Sequence, residues 1–242
     1  MISLHVSAVC RVRDSYTGAP LEASQLLCAL DGLPCRPVGK PGGCLVLVNL
    51  SPGGHRLSLR GHGYQEEWVD FHAGSGTQEL EITMKPGAGY SFRSEVTRLT
   101  LTVTEHGLPA ADRQLWLAAP ALHELKVAQA KAEAGATQFR LYCRGPESAV
   151  PPGAYLIADG TDSEIVFLQS LEGEMGTLAA PLLHDHSRSR LLLPAQRYHT
   201  DGEGRLSAVF QSACTLEVFT GQGGLLASFP LAVGENSQTL SL

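Results

Sequence analysis

Charge is scarce in this chain, and none of it is concentrated. Asp, Glu, Lys and Arg make up 17% of the 242 residues, below the ~25% usual in soluble domains. The 18 basic side chains form no run or stripe, and against 24 acidic ones they leave a net charge of −6. Nucleic acid and anionic membrane surfaces are bound through clustered Lys and Arg, so neither is an expected partner. No apolar run approaches the ~18 residues that cross a bilayer, so membrane insertion is not expected. The opening residues MISLHVSAVCRVRD alternate apolar with polar and have no basic stretch leading into an apolar one. No signal peptide is read there. Cytoplasmic synthesis is the expectation, with export by another route or incorporation into a particle compatible with it.

Catalytic signatures are missing too. There is no Gly-x-Ser-x-Gly, no Walker loop and no Gly-x-Gly-x-x-Gly, and Ser, His and Asp in a chain of this size do not make a triad by their presence. No catalytic or cofactor-binding residue is assigned, and the chain is not expected to be an enzyme. The six cysteines contain no Cys-x-x-Cys pair. Cys10, Cys28 and Cys44 fall on strand faces expected to be buried, where a free thiol acts as a small hydrophobe. Cys28, Cys35 and Cys44 are spaced more widely than a zinc knuckle, and disulfides are not expected in a cytosolic protein. Asp159 with Asp162, and Asp201 with Glu203, offer too few oxygens for calcium and read as turn tips. Aromatics are only 6%, whereas a carbohydrate-binding face needs exposed rings. Trp116, between Leu115 and Leu117, falls on the outward face of its strand. It is the candidate binding platform, or else a contact between domains.

What the chain does have is glycine (26) and proline (14), scattered throughout, which with short alternating runs indicates an all-β architecture. Residues 2–13 alternate, with Ile2, Leu4, Val6, Ala8, Cys10 and Val12 on one face. A Thr17-Gly18-Ala19-Pro20 loop follows, then a strand over 25–30 ending at Asp31-Gly32. Residues 42–64, GGCLVLVNLSPGGHRLSLRGHGY, read as a hairpin. Cys44, Val46, Val48 and Leu50 share one face of its first strand, Leu57 and Leu59 one face of its second, and Ser51-Pro52-Gly53-Gly54 forms the turn. Strands at 67–71 and 78–84 complete the set, and Lys85-Pro86-Gly87 closes it.

Val12-Arg13-Asp14, Thr17-Gly18, Pro20, Gly42-Gly43, Leu50-Ser51-Pro52-Gly53, Leu57 and Gly63-Tyr64 occur in an order that resembles the carboxypeptidase regulatory-like domain. This family has a transthyretin-like β-sandwich fold. The resemblance covers residues 1–86, with His55 where the family usually has tyrosine. It implies an accessory, structural or binding module with no catalytic residues of its own.

Part of the pattern recurs. Residues 98–104 form a strand, Glu105-His106-Gly107-Leu108-Pro109 the matching turn, and 113–118 a second strand. The continuation resumes only at Thr200-Asp201-Gly202-Glu203-Gly204, an Asp-Gly hairpin turn, and strands follow near 206–210, 215–219, 225–231 and 238–242. Between these parts, residues 122–134 are ambiguous: alanine favours helix, while alternation favours strand. Strands are clearer at 138–143, 155–158 and 164–168, with the hairpin turn Asp159-Gly160-Thr161-Asp162 between the last two, and again at 177–178 and 190–193. The stretch from Pro151-Pro152-Gly153 through Asp159-Gly160, Ser163-Glu164 and Leu183-His184 to Leu191-Leu192-Leu193 is similar to a β-module of phage-tail-like and contractile-injection-related proteins. That likeness covers about 136–193.

His184-Asp185-His186 is the one cluster with metal-ligating composition: on a strand both histidines face one side, and His199 and Asp201 would complete a site if the chain folds back. The competing reading is a polar turn. The expected organisation is all-β: two transthyretin-like or Ig-like sandwiches, the second interrupted by a small β insertion. The first spans 1–87, the second 88–119 with 197–242, and the inserted module 120–196. Residues 85–90 permit a hinge. The expected function is a non-enzymatic structural or adaptor role in a phage-tail-like or contractile-injection-type assembly, with other protein subunits as partners. The alternative is a free-standing module that binds a glycan or cell-surface polymer.

Overall fold

A computed structural model describes residues 5–120, 124–145, 150–220 and 224–242. The described residues form strands and two 3-10 turns, with no α-helix. Ile2 and Leu4, expected in the first strand, and Leu122 of the ambiguous stretch lie outside them. The chain divides into two compact units, residues 1–94 and 95–242.

The first unit is a β-sandwich. Its strands are β1 (Val6–Asp14), β2 (Leu26–Leu30), β3 (Leu33–Cys35), β4 (Val38–Lys40), β5 (Cys44–Val48), β6 (Gly53–Gly61), β7 (Glu67–Ala73) and β8 (Gln78–Met84). They form two sheets, β4-β5-β1-β8 and β3-β2-β6-β7. Ala8, Cys10, Val12, Leu45, Leu47, Ile82 and Met84 from the first sheet meet Leu26, Leu57, Leu59, Phe71 and Ala73 from the second in one core. The expected face of β1 is therefore found from Ala8 to Val12, whereas a register irregularity between Val6 and Ala8 leaves Val6 half-buried.

Residues 42–64 do not form a hairpin. β5 belongs to one sheet and β6 to the other, so Ser51-Pro52-Gly53-Gly54 lies in an arch between sheets. Proline and glycine set the backbone bend but do not specify whether the next strand pairs with the last one or crosses the core. The inward face of β5 is also the other one. Leu45 and Leu47 are buried while Cys44, Val46 and Val48 are half-buried, because Leu45 stands opposite inward-facing Cys10. In a wholly apolar CLVLV strand, alternation cannot choose a face; the neighbouring strand does. Cys28 is half-buried as well.

Residues 85–90 are tied to this unit. Gln65 N–H donates to Lys85 O (2.9 Å) and Gly87 N–H to Gly63 O (2.8 Å). The Tyr64 hydroxyl donates to the buried Asp14 carboxylate at 3.1 Å, and the Tyr90 hydroxyl donates to the same oxygen. Burial, and then Asp14, pushes the Tyr64 phenol up to about 12. The Tyr90 ring also packs against Tyr64 and Phe92, with centroids 5.4 and 4.7 Å away.

The second unit contains a second sandwich and a closed barrel. Its strands are β9 (Thr97–Glu105), β10 (Leu108–Pro109), β11 (Gln114–Ala118), β12 (Glu124–Val127), β13 (Lys131–Ala132), β14 (Gln138–Arg144), β15 (Gly153–Ala158), β16 (Glu164–Glu172), β17 (Met175–Leu178), β18 (His186–Ser187), β19 (Leu191–His199), β20 (Arg205–Phe210), β21 (Cys214–Phe219), β22 (Leu225–Leu231) and β23 (Gly234–Ser241). The sandwich core joins Leu99, Leu101, Val103, Leu206, Ala208 and Leu240 to Leu115, Leu117, Tyr198, Leu216, Val218 and Leu231.

The two sandwiches share one frame. In each, the first strand pairs parallel with the last, β1 with β8 and β9 with β23. In each, it pairs antiparallel with a middle strand, β5 or β20. β11, β21 and β22 follow one another in the opposite sheet as β2, β6 and β7 do. The correspondence reaches single residues. Val12 N–H donates to Gly43 O and Leu21 N–H to Val12 O, while Val103 N–H donates to Gly204 O and Ala110 N–H to Val103 O. Both glycines have φ +71, and a Cβ would lie 2.4 Å from Val12 O at Gly43 and 2.5 Å from Val103 O at Gly204. Gly43→Ala and Gly204→Ala are each expected to cost about 3 kcal/mol, from left-handed strain plus a backbone clash. Gly18, with the same φ but open space around it, is expected to cost only about 1 kcal/mol as alanine. Urea denaturation of the three variants checks this.

As the matched frames require, Asp201-Gly202 is not a hairpin turn. β19 and β20 lie in different sheets, and this segment arches between them.

The interruption has a defined address. In the first unit β2 and β3 are joined by the two-residue turn Asp31-Gly32, both with positive φ. In the second, the corresponding pair is β11 and the C-terminal half of β19, in register from Gln114↔His199 to Ala118↔Ala195. The barrel is strung between them. Its strands run β12-β14-β17-β16-β15-β19, and β12 pairs with β19 to close the ring. Leu125, Val127, Phe139, Leu141, Tyr155, Ile157, Val166, Leu168, Leu178 and Leu192 fill the interior. The ambiguous stretch is thus extended, at 124–127 and 131–132. β19 serves both bodies: Leu191 to Pro194 pair with β15 and Ala195 to His199 with β11. Pro194, with no N–H to donate, marks the change of partner.

Candidate functional site

One end of the barrel carries a buried ionic cluster. The turn after β15 is closed by Ser163, whose hydroxyl accepts from Asp159 N–H (2.9 Å) and donates to Gly160 O (2.8 Å). This turn sets Asp159 at the end of β15 and Glu164 at the start of β16. Across from them, β18 pairs with β13, with His186 opposite Ala132. His186 is fully buried. Its Nδ1 lies 3.1 Å from Asp159 Oδ2 and its Nε2 lies 2.8 Å from Glu164 Oε1. Glu164, also buried, accepts from Leu183 N–H (2.9 Å) and His184 N–H (2.9 Å). Arg190 Nε reaches Asp159 Oδ1 at 2.7 Å. Asp185 accepts from Ala134 N–H (2.9 Å) and pairs with Lys131 at 2.8 Å.

The electrostatics follow from this geometry. Burial alone would lower the His186 pKa, but the hydrogen bonds to Glu164 and Asp159 outweigh it and raise the value. Burial works against the Glu164 carboxylate, yet the bonds from His186, Leu183 and His184 hold its pKa below the ordinary range. The pair therefore favours an imidazolium between two carboxylates. While His186 is protonated, both ring nitrogens donate and neither offers a lone pair to a metal or for proton abstraction. The cluster latches residues 183–187 to the barrel.

His184 is exposed and meets the cluster only through its backbone. His199 sits at the far end of β19, eight residues beyond Leu191 and so roughly 26 Å along the strand. Asp201 organises its own turn, accepting from Glu203 N–H (2.9 Å) and Arg205 N–H (2.8 Å). The four histidine and aspartate candidates are not brought together, and among the described residues no group of three or more His, Cys, Asp or Glu is placed to hold a metal ion. Trp116 lies on the face opposite Leu115 and Leu117, half-buried, and packs on Ala118, Leu156, Leu193, Ala195 and Phe219, where the barrel wall meets the sandwich sheet.

Sequence spacing does not mark Glu164 and Asp159 as partners of His186. The signal for Glu164 is parity: it shares a strand face with Val166 and Leu168, so an acid heads an inward-facing apolar row. Asp159 reads only as a turn residue.

No protein-family model and no curated protein match the chain in sequence. Solved structures similar to it include the Bacillus anthracis TIE protein, at 10% identity and a TM-score of 0.27 over 98% of this chain. They also include a streptococcal ancillary pilin, at 8% and 0.27 over 98%, and BcpA, the major pilin subunit of Bacillus cereus, at 8% and 0.29 over 99% of both chains. The chain spans 33% of the first and 61% of the second. Likenesses at these scores assign neither function nor partner.

Proposed function

We propose that the chain is a non-enzymatic structural or adaptor subunit of a multi-subunit assembly, acting through protein–protein contacts. The observation behind this reading is the barrel. Its interior is filled with its own side chains, which leaves its outside as the surface for display. Around it Tyr142, Phe167, Met175, Leu183 and Leu191 are exposed, Leu183 to 71%. Large apolar side chains kept in water are favoured where a protein partner covers them. The sandwiches, each with open sheet edges, suit a rigid support. The finer reading is a phage-tail-like or contractile-injection-type particle, with the first unit a transthyretin-like module of carboxypeptidase regulatory type. A glycan-binding module has less support, because Trp116 is packed on the barrel joint.

Sedimentation of the native protein in lysate from its source tests the reading. Migration with particles far heavier than 25.7 kDa, retained at high salt, is the expected result. A free monomer or dimer would overturn it.

A further inference from the structure

We infer that Cys28 and Cys35 are a thiol–disulfide site: a cross-strand pair that closes into a disulfide when it meets a small-molecule disulfide such as oxidised glutathione. The inference goes beyond the assembly reading and does not depend on it.

Four cysteines, Cys10, Cys28, Cys35 and Cys44, lie in the first unit, and geometry selects one pair. Cys28 on β2 stands directly opposite Cys35 on β3 in an antiparallel ladder. Directly opposite residues in such ladders have Cα atoms about 4.5–5.5 Å apart, inside the range of roughly 4.4–6.8 Å that a disulfide spans. Both side chains point to the same face, since both pack against the core. The other pairings fail. Cys10 is on β1 in the facing sheet, and packed sheets lie about 10 Å apart, beyond the reach of a disulfide from Cys28 or Cys35. Cys44 adjoins Leu45, which shares the inward face with Cys10, so Cys44 points to the opposite side of that sheet.

Access separates the same pair from Cys10. Cys10 is fully buried, whereas Cys28 and Cys35 are each half-buried. β3 is a three-residue edge strand held by β2 alone, with Leu33 71% exposed. A small disulfide can therefore approach from the β3 side. Burial, and then the neighbouring Cys35 sulfur, pushes the Cys28 thiol up to about 11. The Cys35 thiol is raised by burial alone. Cys35, nearer the edge, is the sulfur that attacks first.

The chemistry balances in two exchanges. The Cys35 thiolate attacks one sulfur of oxidised glutathione. The S–S bond breaks, and one glutathione leaves with the electron pair and takes up a proton. The Cys28 thiolate then attacks the Cys35 sulfur of the mixed disulfide and expels the second glutathione. Two protein thiols are oxidised, and one glutathione disulfide is reduced to two thiols. The product staples edge strand β3 to β2.

The test exposes the native full chain to excess oxidised glutathione, quenches with acid, alkylates the remaining thiols and maps them by fragmentation mass spectrometry. Two of the six thiols are expected to be lost, with a link between residues 28 and 35. Cys44→Ser should keep the link. Cys28→Ser should stop at glutathione on Cys35, and hydrogen exchange of β3 should slow only in the linked protein. Retention of all six thiols, a link through Cys10 or Cys44, or glutathione stalled on Cys35 in the unsubstituted chain would overturn the assignment.

Discussion

Replacing His186 with alanine is expected to destabilise the second unit by about 3–5 kcal/mol, because it leaves Glu164 charged, buried and without its ionic partner. Backbone N–H groups of Leu183 and His184 still reach that carboxylate but carry no compensating charge. Glu164→Gln should cost less, about 1–3 kcal/mol. The amide oxygen can still accept from those N–H groups, and Asp159 still faces the ring. Trp116 is the sole tryptophan of residues 95–242, so its fluorescence in a Trp68→Phe background isolates this unit during urea unfolding. Equal losses for the two variants would refute the view that the imidazolium charge, rather than the hydrogen bonds alone, holds the cluster.

The same cluster fixes a pH window. His186 has a folded pKa above its ordinary 6.5, so its contribution is full below 6.5 and is lost as the pH rises through the folded value. Glu164 has a folded pKa below its ordinary 4.5, so its contribution is full above 4.5 and is lost as the pH falls through the folded value. The cluster therefore stabilises most between those two ordinary values. His186→Ala should remove the alkaline-side decline that this residue causes.

Much of the fold was legible because it rests on alternation. RLTLTVT, QFRLYC and QELEITM each place their core residues by parity alone, and β9, β14 and β8 follow. Faces and partners were less legible. The CLVLV strand has no polar face, so only its pairing with Cys10 shows that Leu45 and Leu47 turn inward. The Pro-Gly and Asp-Gly segments at 51–54 and 201–204 encode bends, and a bend reads alike whether it closes a hairpin or arches over a core. The repeat was visible as two strand–turn–strand beginnings, but its closest correspondence, Gly43 with Gly204, depends on contacts with carbonyls far away in sequence. Residues 190–193 read as a short strand, whereas β19 runs on through Pro194 to His199 and exchanges one partner for another. In the candidate site, composition drew attention to His184 and His186 together. Burial separates them, and the partners of His186 come from a turn 22 to 27 residues earlier.

Excising the barrel is the most severe change that the matched frames predict the second sandwich will survive. With residues 119–194 replaced by Asp-Gly, Ala118 and Ala195 would be joined as Leu30 and Leu33 are in the first unit, where Asp31 and Gly32 have φ 51 and φ 80. Those values suit the two-residue turn that matches strand twist. The register from Gln114↔His199 to Ala118↔Ala195 already brings the ends together as such a turn requires. Of the residues buried in the sandwich core, Ala119 alone falls within the excised segment. The cost falls on the opposite face, where Phe219 and Trp116 lose Leu156 and Leu193. Uncovering Phe219 should cost about 2–3 kcal/mol, and Phe219→Thr in the excised chain should restore solubility. Hydrogen exchange should show β9, β20 and β23 still protected, and the excised protein should no longer sediment with the heavy assembly proposed above. Loss of protection along β9 and β23 would mean that the barrel is part of the sandwich's folding core rather than an addition to its hairpin. A protected sandwich that still sediments with that proposed assembly would move the partner contact off the barrel and onto the sandwiches themselves.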